Sequence, residues 1–150
     1  MSKYDSLYMD IARRCAEQSH AVRRQVGCVI VKNENILSFG WNGTPAGFDN
    51  ACEEPTLKGQ TVGSQYIMSL ELRTKAEVSH AEMNALAKLA GSTGNAEGAT
   101  LYCTAGPCIE CAKLIQRSGI IEVVYEDDYR TEAGIELLQR RSILTRKYRG

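Results

Sequence analysis

Apolar residues recur at helical spacing near the start of the chain. Tyr4, Leu7, Tyr8, Ile11, Ala12 and Cys15 share one face, with charges between them, and this predicts an amphipathic first helix. Ser2 and Asp5 stand where they could cap it. Val26 to Val31 is a continuous apolar run, as in a buried strand. Lys32 to Asn35 reads as a hairpin turn, and Ile36 to Trp41 as the return strand. The stretch Asn42-Gly43-Thr44-Pro45-Ala46-Gly47 is loop by composition. Residues 48–78 are the hardest to assign. Pro55, Gly59 and Gly63 interrupt them, a more helical stretch lies near Gln65 to Arg73, and the whole reads as a long functional insertion. Met83, Leu86, Ala87 and Ala90 form a stripe on a second helix that starts near Ser79. Gly91 to Gly98 is rich in turn residues. Ala99 to Thr104 and Ile120 to Glu126 are two further strands. Between them Cys108 to Ser118 reads as a helix, opened by Pro107 and closed by Gly119. A last helix runs from about Thr131 to Arg141. After the first helix, the order β-β-α-β-α-β-α implies an α/β fold, a mixed sheet with helices on its faces. There is no internal repeat and no Pro-, Gly- or Ser-rich linker, so residues 1–150 read as a single domain.

Composition narrows the classes. Apolar residues make up 43% of the chain and charged residues 24%, the usual balance of a soluble globular domain. Lysine plus arginine equals aspartate plus glutamate at 18 each. A neutral chain argues against a surface built for polymeric nucleic acid, although a local basic patch stays open. The amino terminus, MSKYDSLYMDIARR, lacks the apolar centre of a signal peptide. No stretch approaches the ~18 apolar residues of a membrane span. The expected compartment is the cytoplasm. In that setting the six cysteines point less to disulfides than to metal or redox chemistry at a C-x-x-C.

That chemistry has a concrete candidate. His80-Ala81-Glu82 and Pro107-Cys108-Ile109-Glu110-Cys111 supply one imidazole, two thiols and a spare carboxylate. Two thiols three residues apart at a helix start can point the same way, and the helix amino terminus favours the thiolate. Three N/S ligands leave tetrahedral zinc one position short, as in catalytic sites. Zinc lowers the pKa of water from ~16 toward ~7. Glu82, near the metal but not bound to it, would carry protons. Plainer readings stand beside this one. Glu82 could close a capping box with Ser79, and C-x-x-C could be half of a structural zinc site or a redox pair. A structural site needs four ligands and no second C-x-x-C exists. Redox pairs ordinarily lack His-x-Glu.

Several motifs together carry a family likeness. They are Arg24-Gln25-Val26-Gly27, Gly40-Trp41-Asn42-Gly43-Thr44-Pro45-Ala46-Gly47, His80-Ala81-Glu82-Met83-Asn84-Ala85, Tyr102-Cys103-Thr104, Pro107 to Lys113 and Ser118-Gly119-Ile120. Over about residues 5–130 the chain resembles the deoxycytidylate (dCMP) deaminases, especially bacteriophage-encoded members. The zinc motif alone fits the whole zinc-dependent deaminase superfamily; the Asn-Gly-Thr-Pro-Ala-Gly loop narrows it. The resemblance implies a three-layer α/β/α cytidine-deaminase-like fold with a mixed sheet of about five strands. It implies His80, Cys108 and Cys111 as zinc ligands and Glu82 as proton shuttle. It implies conversion of dCMP to dUMP and ammonia, supplying dUMP for thymidylate synthesis. It also implies a homohexamer, activated by dCTP with Mg2+ and inhibited by dTTP, working in the host cytoplasm if phage-encoded. By the same resemblance Asn42 binds the sugar, and Ala81 and Thr104 belong to the substrate site.

Other assignments stay two-sided. Gly43 and Gly47 let backbone amides approach a phosphate, and Arg23 and Arg24 could add charge there. These residues, with Asn42, form the candidate effector site, or else an ordinary turn beside solvated arginines. Tyr125 and Tyr129 lie where ligands sit in open α/β sheets, and either stack on substrate or serve as ordinary packing. The resemblance also implies, for certain phage members, a second, structural zinc; His20 and Cys52 lie near its places and Glu71 lies upstream of His80, an incomplete and untidy ligand set. Cys15, Cys28 and Cys103 read as core residues. Arg140, Arg141, Arg146, Lys147 and Arg149 read as a solvated or subunit-contacting surface. The competing functions are another zinc deaminase, acting on free cytosine or a tRNA adenosine, and a non-catalytic zinc or nucleotide-binding module. An intact Glu82 speaks against the last.

Overall fold

The computed structural model describes residues 2–150. The apolar run found near residue 26 becomes β1 (Gly27–Lys32). Cys28, Val29 and Ile30 have no exposed surface, so both faces of this strand are covered. It turns through Asn33 and Glu34, both at positive φ, as a two-residue hairpin requires. The return strand is β2 (Asn35–Trp41). Three further strands complete a sheet: β5 (Thr100–Ala105), β6 (Glu122–Asp127) and β7 (Leu144–Lys147), in the order β2-β1-β5-β6-β7. β1 runs antiparallel to β2 and β5, whereas β5, β6 and β7 are parallel. The mixed five-stranded sheet and its α/β class match the sequence expectation.

Strand alternation sorts the two layers of helices. Val29, Val31, Tyr102 and Val124 face α1 (Asp5–Ala16) and pack with its Tyr8, Met9 and Ala12. Cys28, Ile30, Leu101, Cys103 and Val123 face the opposite layer. That layer holds α2 (Ala81–Ala90), α3 (Ile109–Arg117) and α4 (Ala133–Arg140). Two glycines set the spacing. A Cβ at Gly27 would fall 2.1 Å from Ala12 O, and one at Gly40 would fall 2.6 Å from Ala81 O. Helix and strand therefore touch backbone to backbone.

Four expectations need correction. The stretch from Gln65 to Arg73 is not helical. It belongs to β4 (Gln65–Thr74), which pairs with β3 (Glu53–Val62) in a separate two-stranded sheet. Ten-residue partner strands joined by a tight turn satisfy each other's backbone, so this insertion is an ordered arm. The buried face of α2 runs through Ala81, Glu82, Ala85 and Leu89 rather than through Met83, Leu86, Ala87 and Ala90, because Gly40 admits only small residues on the touching face. Asp5 is not the N-cap of α1, which is Tyr4, although its Oδ2 accepts from Ser2 N at 3.2 Å in the turn before the helix. It is buried, accepts from Tyr102 Oη at 2.8 Å and pairs with Arg146 Nη1 at 2.9 Å. Arg146 is accordingly an internal tie on β7, not a solvated charge. No helix among the described residues is long and apolar enough to cross a membrane.

Candidate functional site

Two helix amino termini meet at one point. His80 is the N-cap of α2, in extended backbone. Cys108 is the N-cap of α3, and its Sγ accepts from Cys111 N at 3.4 Å. β2 holds α2 in place: Asn84 Nδ2 donates to Trp41 O at 2.7 Å and Ser38 Oγ to Ala85 O at 2.8 Å. The Gly43–Ser79 bridge fixes the residue before His80. α4 holds the Cys108 turn from behind. Gly134 sits so close that a Cβ there would fall 2.1 Å from Pro107 O.

His80 Nδ1 lies 3.4 Å from both Cys108 Sγ and Cys111 Sγ. A tetrahedral zinc with Zn–S ~2.3 Å and Zn–N ~2.0 Å separates such donors by about 3.5 Å. The donor set is soft, convergent and three-membered, and it is the one group of at least three metal-capable side chains gathered among the described residues. It fits zinc with one corner left to a non-protein ligand. The hydrogen bond from Cys111, aided by His80 and opposed by burial, holds Cys108 as thiolate, down to about 3. The same contact pushes Cys111 far up. His80 is raised by its hydrogen bond to Cys108.

Glu82 comes next to this triad without joining it. Its Oε2 is 3.6 Å from Cys111 Sγ, and the side chain is 4% exposed. Burial raises its pKa, so it holds a proton more readily than an ordinary glutamate. Ser79 N donates to Gly43 O instead of to Glu82, which removes the capping-box reading.

A cavity of about 550 Å³ opens over this floor. Ala81, Glu82, His80, Cys108, Asn42 and Tyr129 line it. Asn42 spends its side chain on the wall: Oδ1 accepts from Val26 N and Nδ2 donates to Arg24 O, each at 2.9 Å. Arg23 and Arg24 are on the same wall. Thr104 and Tyr125 are not. Thr104 points to the α1 layer and its Oγ1 accepts from Gly27 N at 3.1 Å. Tyr125 stands between Cys103 and Lys147 in the sheet. Gly43 is taken up in its bridge to Ser79, and Gly47 is an exposed turn residue at positive φ, away from the wall.

The proposed second metal set is not assembled. His20 is exposed, Cys52 is buried on the cavity wall, and Glu71 is on the arm 3.6 Å from Lys58. Sequence reasoning missed Arg73 and Arg130, which also line the cavity. Arg130 directly follows Tyr129, and Arg73 ends a strand whose alternation was there to read. Among the described residues, neither Arg23 nor Arg130 has a carboxylate within ion-pair distance. Glu53 shares the wall, Arg24 lies 4.0 Å from Asp127 and Arg73 2.7 Å from Glu54, so Arg23 and Arg130 are the uncommitted positive charges at this mouth and supply a local field for an anion.

The profile of the family described as "Cytidine and deoxycytidylate deaminase zinc-binding region" matches residues 2–127. The chain is 36% identical over 146 residues to the deoxycytidylate deaminase of Schizosaccharomyces pombe, covering 97% of this chain and 44% of that protein. It thus spans less than half the length of this yeast relative. It is 32% identical over 151 residues to the deoxycytidylate deaminase of Enterobacteria phage T4, covering 83% of this chain and 78% of that one. The crystal structure of dCMP deaminase from the cyanophage S-TIM5 in complex with dCMP and dUMP superposes with a TM-score of 0.82 at 35% identity, covering 99% of both chains.

Proposed function

This chain belongs to the cytidine and deoxycytidylate deaminase zinc-binding family, and from that premise we propose that it converts dCMP and water to dUMP and ammonia. One observation carries the reading: a three-donor N/S2 group and a buried, unligated glutamate form the floor of a cavity on whose wall Arg23 and Arg130 stand without ion-pair partners among the described residues. His80, Cys108 and Cys111 would hold zinc, which when bound supplies Lewis-acid activation of water. Glu82 moves the protons. Its Oε2 takes one from the attacking water, delivers it to N3 of the cytosine ring and serves the departing amino group. Burial raises its pKa, which suits a carboxylate that both receives and returns a proton. Asn42 fixes the Arg24–Val26 segment through one Nδ2 hydrogen and one Oδ1 lone pair, and the second hydrogen and lone pair meet the sugar. Tyr129 stacks on the base. Arg23 and Arg130, with no ion-pair partner of their own, take the 5′-phosphate.

Arg23 and Arg24 open onto the cavity that holds Glu82, which favours a substrate role over an effector role for them. Regulation by dCTP with Mg2+ and by dTTP, acting near the Gly43–Gly47 loop, and assembly as a homohexamer complete the reading. Those features rest on the resemblance of the Asn42–Gly47 motif.

The test is a substrate panel. Zinc-loaded protein is incubated with dCMP, CMP, deoxycytidine and a tRNA anticodon stem, and ammonia is measured. Release from dCMP above all others is expected, and activity on RNA alone overturns the proposal. Repeating the dCMP assay with dCTP and dTTP should give opposite shifts. A flat, hyperbolic response to both removes the regulatory part.

A further inference from the structure

The β3–β4 arm is two-sided in a way that its exposure makes unusual. Register places Pro55 opposite Leu72, Leu57 opposite Leu70, Gly59 opposite Met68 and Thr61 opposite Tyr66. These pairs share one face. The other face carries Lys58 with Glu71 at 3.6 Å and Arg73 with Glu54 at 2.7 Å. Its charges are already matched within the arm. The apolar face has no cover: Leu57, Tyr66 and Leu70 are 65%, 70% and 73% exposed. A lone two-stranded hairpin is marginal in water, and this one extends ten residues per strand.

We propose that this apolar face packs against the same face of a second copy of the chain. Leu57, Tyr66, Met68, Leu70 and Leu72 offer on the order of 600 Å² of uncovered side-chain surface, near the ~800 Å² per partner of a stable interface. A face-to-face contact about a two-fold axis is self-complementary here, because Glu54, Lys58, Glu71 and Arg73 lie on the far side, and Glu53, which shares the apolar face at the arm's root, is engaged by Val22 N and Arg23 N of its own body. Other occupants fit less well. Counting Glu53, Glu54 and Glu71 against Lys58 and Arg73, the arm is net acidic, which repels an anionic membrane surface and a nucleic acid alike. The contact would also brace the cavity. Arg73 and Thr74 at the arm's root line it, and Lys75 N donates to Cys52 O at 2.8 Å where the arm rejoins the body. This inference builds on the oligomeric part of the reading above and assigns it a surface.

The experiment compares molar masses by light scattering for the full-length, zinc-loaded protein and its Leu57→Thr/Leu70→Thr variant. Threonine keeps the strand preference and a favourable cross-strand pair while removing the apolar area. We expect the parent to run as an oligomer and the variant at half that mass or less, with circular dichroism and zinc content unchanged. Leu70→Cys under mild oxidation should give a covalent dimer, and Lys58→Cys, on the opposite face, should not. A monomeric parent overturns both the oligomer and the arm contact. An oligomeric parent whose mass the variant leaves unchanged, with no Leu70→Cys cross-link, overturns the arm contact alone. Ammonia release from dCMP is scored separately, so failure of the catalytic reading is distinguishable from either result.

Discussion

Glu82 is the residue on which the chemistry turns, and its role is separable from that of the ligands beside it. Glu82→Gln keeps the shape of the side chain and leaves His80, Cys108 and Cys111 intact. Stoichiometric zinc by metal analysis is therefore expected, together with a loss of ammonia release of about 10²- to 10⁴-fold. Retained turnover would remove the proton-carrier assignment. Thr104 shows where single-residue reading stops. Leu101 and Cys103 face α2 and α3, whereas Tyr102 faces α1, so Thr104 falls on the α1 side by strand parity. Its hydroxyl is the acceptor for Gly27 N. Thr104→Val should cost about 1–3 kcal/mol, the penalty of orphaning a buried donor, read from the urea midpoint. The metal ligands were legible because each sits at a helix start, where local spacing alone aims the side chain. The placements of Tyr125 and Arg130 were not, because where a residue at the end of β6 or in the loop after it comes to lie depends on its neighbours in the fold.

Helices and strands hold the site through backbone contact rather than side-chain bulk. Gly134 lets α4 lie on Pro107 and Cys108, and a Cβ at that position meets Pro107 O at 2.1 Å. Gly134→Ala should therefore shift either α4 or the Cys108 turn. A loss of about 1–3 kcal/mol is expected, along with faster loss of zinc on dialysis against a chelator. A variant as stable and as tightly zinc-loaded as the parent would show that the contact is slack. Most elements were readable from periodicity, since helices of period 3.6 alternate with short buried strands. The arm was not read as strand because β3, with Pro55, Lys58, Gly59 and Gln60, carries no apolar alternation. In β4, Tyr66, Met68, Leu70 and Leu72 do alternate, and that period of two was the signal overlooked. The small buried face of α2 was equally hidden, since it is imposed by Gly40 on a different element.

At the scale of the molecule, the first helix is tied to the last strand. Arg146 reaches Asp5 and also Glu122 Oε1 at 2.6 Å, while Arg13 of α1 pairs with Glu126. Burial pushes the Asp5 carboxyl up, but hydrogen bonds from Arg146 and Tyr102 outweigh it and leave the pKa lowered. A depressed folded-state pKa stabilises fully above the unfolded value of ~3.9 and is lost as pH falls through the folded value. Stability should thus be insensitive to this group from neutrality down to about pH 4 and decline below it. Asp5→Asn should lower the urea midpoint at neutral pH, and the deficit should shrink in acid. A constant deficit across that range would mean the carboxylate charge is not what matters. The domain as a whole was legible from element order, but this tie was not, because no local pattern links residues 141 positions apart. Its consequence lies in biosynthesis. At typical ribosomal speeds, the interval between adding Asp5 and adding Arg146 is roughly 10 to 30 s. Throughout it the nascent helix carries Tyr8, Met9 and Ala12 with their sheet unfinished, a natural client for chaperones until the final strand emerges.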